Sequence, residues 1–390
     1  MRRTQRPTPS LPVREGDWIV EAFSVSSLTG RVRVGLFFLL FLPLPLSAQE
    51  FGRITLLFAG DLMQHQGQID AARQLDGSYD YAPCFQYVKE EVSRADVAIA
   101  NLEVTLAGRP YRGYPQFSAP DEYAQAIKEA GFDVLLTANN HCLDRRKKGL
   151  ERTIYVLDSL QIPYVGTYIN KNAREQLYPL IIQKNGFRIA LLSYTYATNG
   201  IEVQAPNVVN YIDMEQILAD IQKARTLKAD VIIACMHWGV EYRLLPERQE
   251  RQMADWLIAN GVDHVIGGHP HVLQPMEVRS DEHTAARHLV VYSLGNYISN
   301  MSAPNTDGGA MVKLELKRIG HITALADCSY SLVWTSRPTL RGGGNYLLYP
   351  AANPPQNINE AEKGRLDRFL QSARNLFKKN NIAIEEYFFK

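Results

Sequence analysis

The chain has 390 residues, 46% of them hydrophobic and 21% charged, with a formal net charge of +1. That length and apolar content can bury a large core, and the near-neutral balance excludes a nucleic-acid binder or a polyanion sponge working through bulk charge. The four cysteines, Cys84, Cys142, Cys235 and Cys328, lie far apart with no CxxC spacing. They define neither a zinc ribbon nor a disulfide framework and read as small buried hydrophobes, with Cys142 and Cys235 each beside a candidate ligand.

At the N-terminus, Arg31 and Arg33 precede an apolar run over residues 34–46 and then Ser47, Ala48 and Gln49. This charged, apolar, small-residue order is that of a secretory signal peptide, so export with cleavage near Ala48 is expected. The run is short and carries Pro43 and Pro45, which disfavours a membrane span. No cysteine precedes Cys84, which excludes a lipobox anchor. Because a long stretch precedes Arg31, residues 1–30 are expected to lie upstream of the true start. The expected organisation is an extension plus signal peptide over 1–48, a catalytic domain over 51–335, and a linker with a C-terminal helix over 336–390.

From Phe51 onward strands and helices alternate. Residues 54–59 form a β-rich apolar run ending at Gly60 and Asp61. A helix is predicted over 83–95, then a strand over 96–100 ending at Asn101, Leu102 and Glu103. A helix over 121–130 is stopped by Gly131, and a strand over 132–138 ends at Asn139, Asn140 and His141. After a helix over 147–160, two strands within 178–195 turn at Asn185 and Gly186, a favoured hairpin dipeptide. Asp213 caps a helix with Gln216 three residues on, and Ile217, Ile221 and Ala224 mark its buried face. A strand over 230–236 ends at His237, and a helix over 247–260 is stopped by Gly261. The next apolar run ends in Gly267 and Gly268 and releases His269 and His271 from one loop.

Residues 310–316 and 322–333 alternate as antiparallel strands do and are expected to complete a second sheet. Residues 342–344 and 350–355 read as a flexible connection. Leu366, Phe369, Leu370, Ala373, Leu376 and Phe377 then share one face of a helix, which docks on the domain or, as the alternative, meets a partner or membrane surface.

Asp61, Glu103, Asn140 with His141, His237, and His269 with His271 each stand at the C-terminal end of an apolar strand. In open α/β sheets, ligands bind in the crevice outside those ends. Any one of these residues could serve only solvation or a loop hydrogen bond; the set together points to a site. Carboxylate, amide and imidazole donors suit Mn, Fe or Zn, as one ion or two, rather than a structural thiolate zinc. A carboxylate can bridge two ions, and such a site can generate a hydroxide and clamp an anionic transition state.

The series GDLM (60–63), NLE (101–103), TANNHCLD (137–144), MHWGVEY (236–242), GGHPHVLQ (267–274) and SLGN (293–296) resembles the CapA family. These are capsule-synthesis, poly-γ-glutamate-biosynthesis type proteins, a branch of the calcineurin-like metallophosphoesterase superfamily. The resemblance implies a four-layer α/β/β/α sandwich. It further implies that Asp61 opens the superfamily's Asp-x-His element, that Glu103 stands in place of the bridging Asp, and that Asn140 is a ligand of the second metal. His141 would act at the leaving oxygen, His237 and His269 would bind the second metal, and His271 the first. Two positions depart from the pattern: Met63 occupies the place of the His in Asp-x-His, and Glu103 is one methylene longer than Asp. His65 could substitute for Met63, or could be a loop histidine bonded to backbone.

Other motif residues have two readings. Glu241 and Tyr242 follow His237 on a turn set by Gly239, placed to meet substrate or orient an imidazole; alternatively Tyr242 packs on Trp238 with Glu241 in solvent. Asp144 could hold the second nitrogen of His141 or cap the next helix. Asn296 could touch the site or cap a turn. Arg112, Arg145, Arg146 and Arg243 could receive a phosphate or a polyanionic chain, or be surface charge. Three functions are compatible: a phosphoesterase-type hydrolase using a metal-activated hydroxide with His141 at the leaving group, a non-hydrolytic accessory that holds an anionic polymer within a capsule-synthesis membrane complex, and a metal-dependent amide hydrolase or transferase on that polymer. No nucleic-acid partner is expected.

Overall fold

The computed structural model describes residues 50–281 and 286–389. The expected signal peptide, its cleavage position and the upstream start lie outside the described residues. Apolar β-rich runs become strands buried on both faces. In Glu50–Leu62, Leu56 and Phe58 face a second sheet, while Leu57 and Ala59 face helices.

Two mixed sheets stack through one apolar core. The first sheet runs in the order Leu347–Pro350, Ile322–Ser336, Gly308–Ile319, Glu50–Leu62, Val97–Leu102, Val134–Leu136 and Tyr164–Val165, with Asn296–Ile298 and Glu385–Glu386 at its margins. The second runs Met276–Ser280, Arg287–Val291, His264–Gly268, Val231–His237, Phe187–Thr195 and Leu180–Lys184. Between them pack Phe58, Ile99, Leu136 and Leu314 from one side with Leu191, Ile233 and Val290 from the other. Tyr81, Phe85, Val92, Tyr123 and Ile127 from short helices cover the outside of the first sheet. Ile217, Ile221 and Ala224 of Met214–Thr226, with Ala254 and Leu257 of Arg248–Ala259, cover the second. This is the expected four-layer α/β/β/α arrangement.

Several expectations change. The helix over 83–95 is two short pieces, Ala82–Phe85 and Lys89–Ser93, broken where Tyr87 turns its ring against Tyr349. Gly308–Ile319 and Ile322–Ser336 do not complete the second sheet. They form a hairpin that pairs antiparallel with the free edge of Glu50–Leu62, and the second sheet is built from the central βα units. Within the expected flexible connection, Leu347–Pro350 is a strand that pairs with Ile322–Ser336. The helix Glu360–Asn380 buries Leu366, Phe369, Ala373 and Phe377 in the core, with Leu370 and Leu376 half-buried beside them. Among the described residues, all four cysteines are buried and unpaired, and no helix is long and apolar enough to cross a membrane.

Glycine permits the backbone contacts that bring the strand ends together. A Cβ at Gly60 would lie 2.0 Å from the Gly295 carbonyl oxygen, and one at Gly267 would lie 2.1 Å from that of Tyr292. The pairing register shifts at Gly60, a bulge that aims the Asp61 side chain. Gly267→Ala is expected to destabilise the fold by about 3 kcal/mol, because backbone stands in the way of the methyl group. Urea unfolding measures this; an unchanged midpoint would refute the close approach.

Candidate metal centre

The polar strand ends of both sheets meet in one buried place. Asp61, at the end of Glu50–Leu62, and Glu103, just past Val97–Leu102, come from the first sheet. His237 ends Val231–His237, and His269 and His271 follow His264–Gly268 in the second. Asp61 and Glu103 are fully buried, and all three imidazoles are nearly so. His271 Nδ1 lies 3.5 Å from Asp61 Oδ2, and its Nε2 lies 3.8 Å from Glu103 Oε1. His237 Nε2 is 3.7 Å from the same Glu103 oxygen and 2.9 Å from Asn140 Oδ1.

These residues fit a bound cation. Asp61 Oδ2, Glu103 Oε1 and His269 Nδ1 are buried with no hydrogen-bond partner, a costly state unless something else satisfies them. Potential ligand atoms fall into two groups, Glu103 with His269 and His271, and Asp61 with Glu103 and His237, each within 4.8 Å. Glu103 belongs to both, as a bridging carboxylate would. The grouping differs from the partition the resemblance implies, which pairs His237 with His269.

His269 and His271 both have positive φ, 102° and 58°. Left-handed backbone at non-glycine residues costs on the order of 1–3 kcal/mol each and is concentrated at functional sites. Gly268 clears the space beside them, since a Cβ there would lie 3.1 Å from Asp61 Oδ1.

Electrostatics follow from burial. Desolvation, reinforced by the Asp61 charge, pushes the Glu103 carboxyl well above the usual range. Desolvation and neighbouring imidazoles hold His237 well below its ordinary value, and desolvation with His271 lowers His269 to about 3. His237 and His269 are therefore neutral and ready to donate lone pairs near pH 7, while Glu103 is the group on which a proton competes with a cation.

Beside this centre, His141 Nδ1 lies 2.8 Å from Asp144 Oδ2, which also accepts the Phe117 amide N–H at 2.7 Å. Asp144 thus orients the ring and does not cap the next helix, whose N-cap is Arg145. His141 and Asp144 line an open cleft of about 380 Å3 with Asn140, Tyr114, Asn199 and Glu241. Glu241 is exposed at the mouth. Tyr242 has its ring centroid 6.4 Å from that of His271, while Trp238 turns away and donates to the Tyr292 carbonyl. Arg112, Arg145, Arg146 and Arg243 do not line the cleft.

Met63 packs into the core on the helix side of the first sheet and offers the site no ligand atom. His65 N-caps the helix Gln66–Ala72, its Nδ1 receives the Asn300 amide at 3.3 Å, and burial lowers it to about 4.

Four further residues belong to the site. Asn101 Nδ2 donates to Asp61 Oδ1 at 2.8 Å and to Glu103 Oε2 at 3.2 Å. Asn199 Oδ1 accepts from Asn140 Nδ2 at 3.2 Å, which turns the Asn140 oxygen toward His237. The Tyr196 ring lies 4.5 Å from that of His269. Asn296 Oδ1 is 3.0 Å from His271 Nδ1, so Asn296 touches the site, and it opens the strand Asn296–Ile298 instead of ending the one before. Asn101 stood in plain view at a strand end beside Glu103; Tyr196 and Asn199 carried no sequence signal.

Residues 55–301 match the family model described as bacterial capsule synthesis protein PGA_cap. The chain belongs to this family. It is 28% identical over 295 residues to the capsule biosynthesis protein CapA of Bacillus anthracis, spanning 73% of this chain and 68% of that one. To the PGA biosynthesis protein CapA of Bacillus subtilis it is 27% identical over 274 residues, spanning 67% and 68%. Among solved structures it is similar to a calcineurin-like phosphoesterase from Bacillus subtilis, with 14% identity, a TM-score of 0.46, and 84% of this chain and 99% of that one covered. It is also similar to the Haemophilus influenzae NAD nucleotidase, with 12% identity and a TM-score of 0.45, covering 86% of this chain and 57% of that one.

Because a cation and a proton compete for the Glu103 carboxylate, affinity for Mn, Fe or Zn is expected to fall as pH drops through the raised Glu103 value, with proton release on binding below it. Glu103→Gln should weaken binding and flatten this dependence. Calorimetric titration in two buffers of different ionisation enthalpy reads the proton count; a pH-independent affinity would contradict the assignment.

Proposed function

We propose that this chain is an exported, metal-dependent hydrolase that acts on an anionic envelope polymer, or on a phosphoester, during capsule synthesis. The observation that carries the reading is the convergence of three buried, unpartnered ligand atoms, Asp61 Oδ2, Glu103 Oε1 and His269 Nδ1, beside His237 and His271. A divalent ion of the Mn, Fe or Zn type would be held by Asp61, Glu103, Asn140, His237, His269 and His271, and would supply Lewis acidity and charge neutralisation.

The protein's own groups supply the rest. An ionised Asp144 only accepts, so His141 carries a proton on Nδ1 and keeps Nε2 for the cleft, where it can hold the proton that a leaving group needs. Asn199 fixes the Asn140 amide, and Asn296 the His271 ring. Export is supported by the residue order over 31–49.

One observation favours amide over phosphoester cleavage within this reading. The cleft beside His141 carries Glu241 and no Lys or Arg. A carboxylate there suits a leaving group that departs as an amine and becomes cationic, and repels an anionic one.

His141→Ala is expected to lower kcat by about 10²–10⁴-fold with metal content unchanged, and Asp144→Asn by less, on whichever of a phosphodiester and a γ-glutamyl substrate is turned over. His269→Ala should lose metal without unfolding. Elemental analysis beside the activity assay checks both. A folded wild-type protein that holds no metal would defeat the hydrolase reading and leave the role of polymer-holding accessory.

A further inference from the structure

A second cleft, of about 350 Å3, lies between the loop 302–307 and the start of the helix Glu360–Asn380. Ser302, Asn305, Asp307, Arg337, Arg365 and Arg368 line it. Arg365 and Arg368 stand three residues apart, so they share one helix face, flanking the buried Leu366 and Phe369. Three guanidinium groups thus surround a space with a single carboxylate, Asp307, whose Oδ2 already accepts the Trp334 indole N–H at 3.1 Å.

Elsewhere in the molecule arginines near the core are matched. Arg174 pairs with Asp220, Arg152 with Asp121, Arg279 with Glu277, and Arg374, on this same helix, with Glu386. Arg337 donates to the Met301 carbonyl, a neutral acceptor, and among the described residues neither it nor Arg365 nor Arg368 forms a salt bridge. Arg337 is half-buried, which lowers it; the Asp307 charge acts in its favour without a salt bridge, and Arg365 opposes it more weakly. Like charges gathered in a concave surface focus a positive field, and the planar fork of arginine matches an oxyanion.

We propose that this cleft is an oxyanion-binding site, separate from the metal centre, for a carboxylate or phosphate group of an extended polyanion. The inference goes beyond the hydrolase reading and stands without it. The two places are joined by one short segment: Asn296, which holds His271, donates its amide to the Thr306 carbonyl at 3.0 Å, and Thr306 adjoins Asn305 and Asp307 at the cleft. A chain seated on the arginines would therefore run close to the loop that supports the metal-centre histidine.

The test uses the full chain at low salt, titrated in one arm with inorganic phosphate and in the other with a γ-linked glutamate trimer, read by calorimetry. His269→Ala removes the metal-centre contribution, and Arg365→Ala/Arg368→Ala is added on that background. Binding of at least one probe should survive His269→Ala, weaken roughly tenfold or more with the arginine pair removed, and weaken with added salt. The arm with the tighter probe identifies the source of the oxyanion. Both arginines are exposed, so matching thermal melts are expected, and an Arg365→Lys/Arg368→Lys variant, which keeps charge and loses the fork, should be intermediate. No binding of either probe to His269→Ala, or unchanged affinity without the two arginines, would overturn the proposal.

Discussion

A single amide holds the candidate centre open. Asn101 Nδ2 donates to one oxygen of Asp61 and one of Glu103, and Asn139 fixes Asn101 in turn by donating to its carbonyl oxygen at 3.0 Å. Two carboxylates so deeply buried still repel each other, and burial with the Asp61 charge raises Glu103. With one oxygen of each committed to Asn101, the other is left bare toward the imidazoles. That geometry makes a cation the natural occupant, and His237 and His269, kept neutral by desolvation, complete it with His271 beside them.

The rest of the architecture serves to bring these groups from two sheets to one point. Parallel strands carry Asp61 and Glu103 on one side and His237 on the other, all at their C-terminal ends. Gly60 lets Glu50–Leu62 lie against the Gly295 backbone, and Gly267 lets His264–Gly268 lie against that of Tyr292, where any side chain would collide. The cost of left-handed backbone at His269 and His271 is borne by the large shared core, which leaves the loop no relaxed alternative.

Met63 is one of the two positions at which the sequence departs from the pattern that the resemblance implies, and its surroundings account for the outcome. The strand turns its side chain toward the helices, where it packs among Leu62, Tyr81 and Tyr123, and Tyr123 donates to its carbonyl oxygen. His65 is already engaged by Asn300 and caps a helix. The donors left near Asp61 are Glu103 and the histidines of the second sheet.

By itself the sequence determined the α/β class, the ends of the principal strands and the chemistry waiting there, because strand-forming apolar runs and their polar terminations are local properties. It also showed Asp213 as a helix cap and the buried stripe of the C-terminal helix, which depend only on near neighbours. Tertiary structure decided which sheet takes the hairpin of residues 308–336, since pairing depends on whose edge is free. It decided between the two readings of Asp144 and Asn296, and it recruited Tyr196 and Asn199 from a loop without periodicity. The arginine cleft likewise exists only once the helix 360–380 lies against the loop 302–307. Residues distant along the chain become a site through packing, and packing is not written in any one segment.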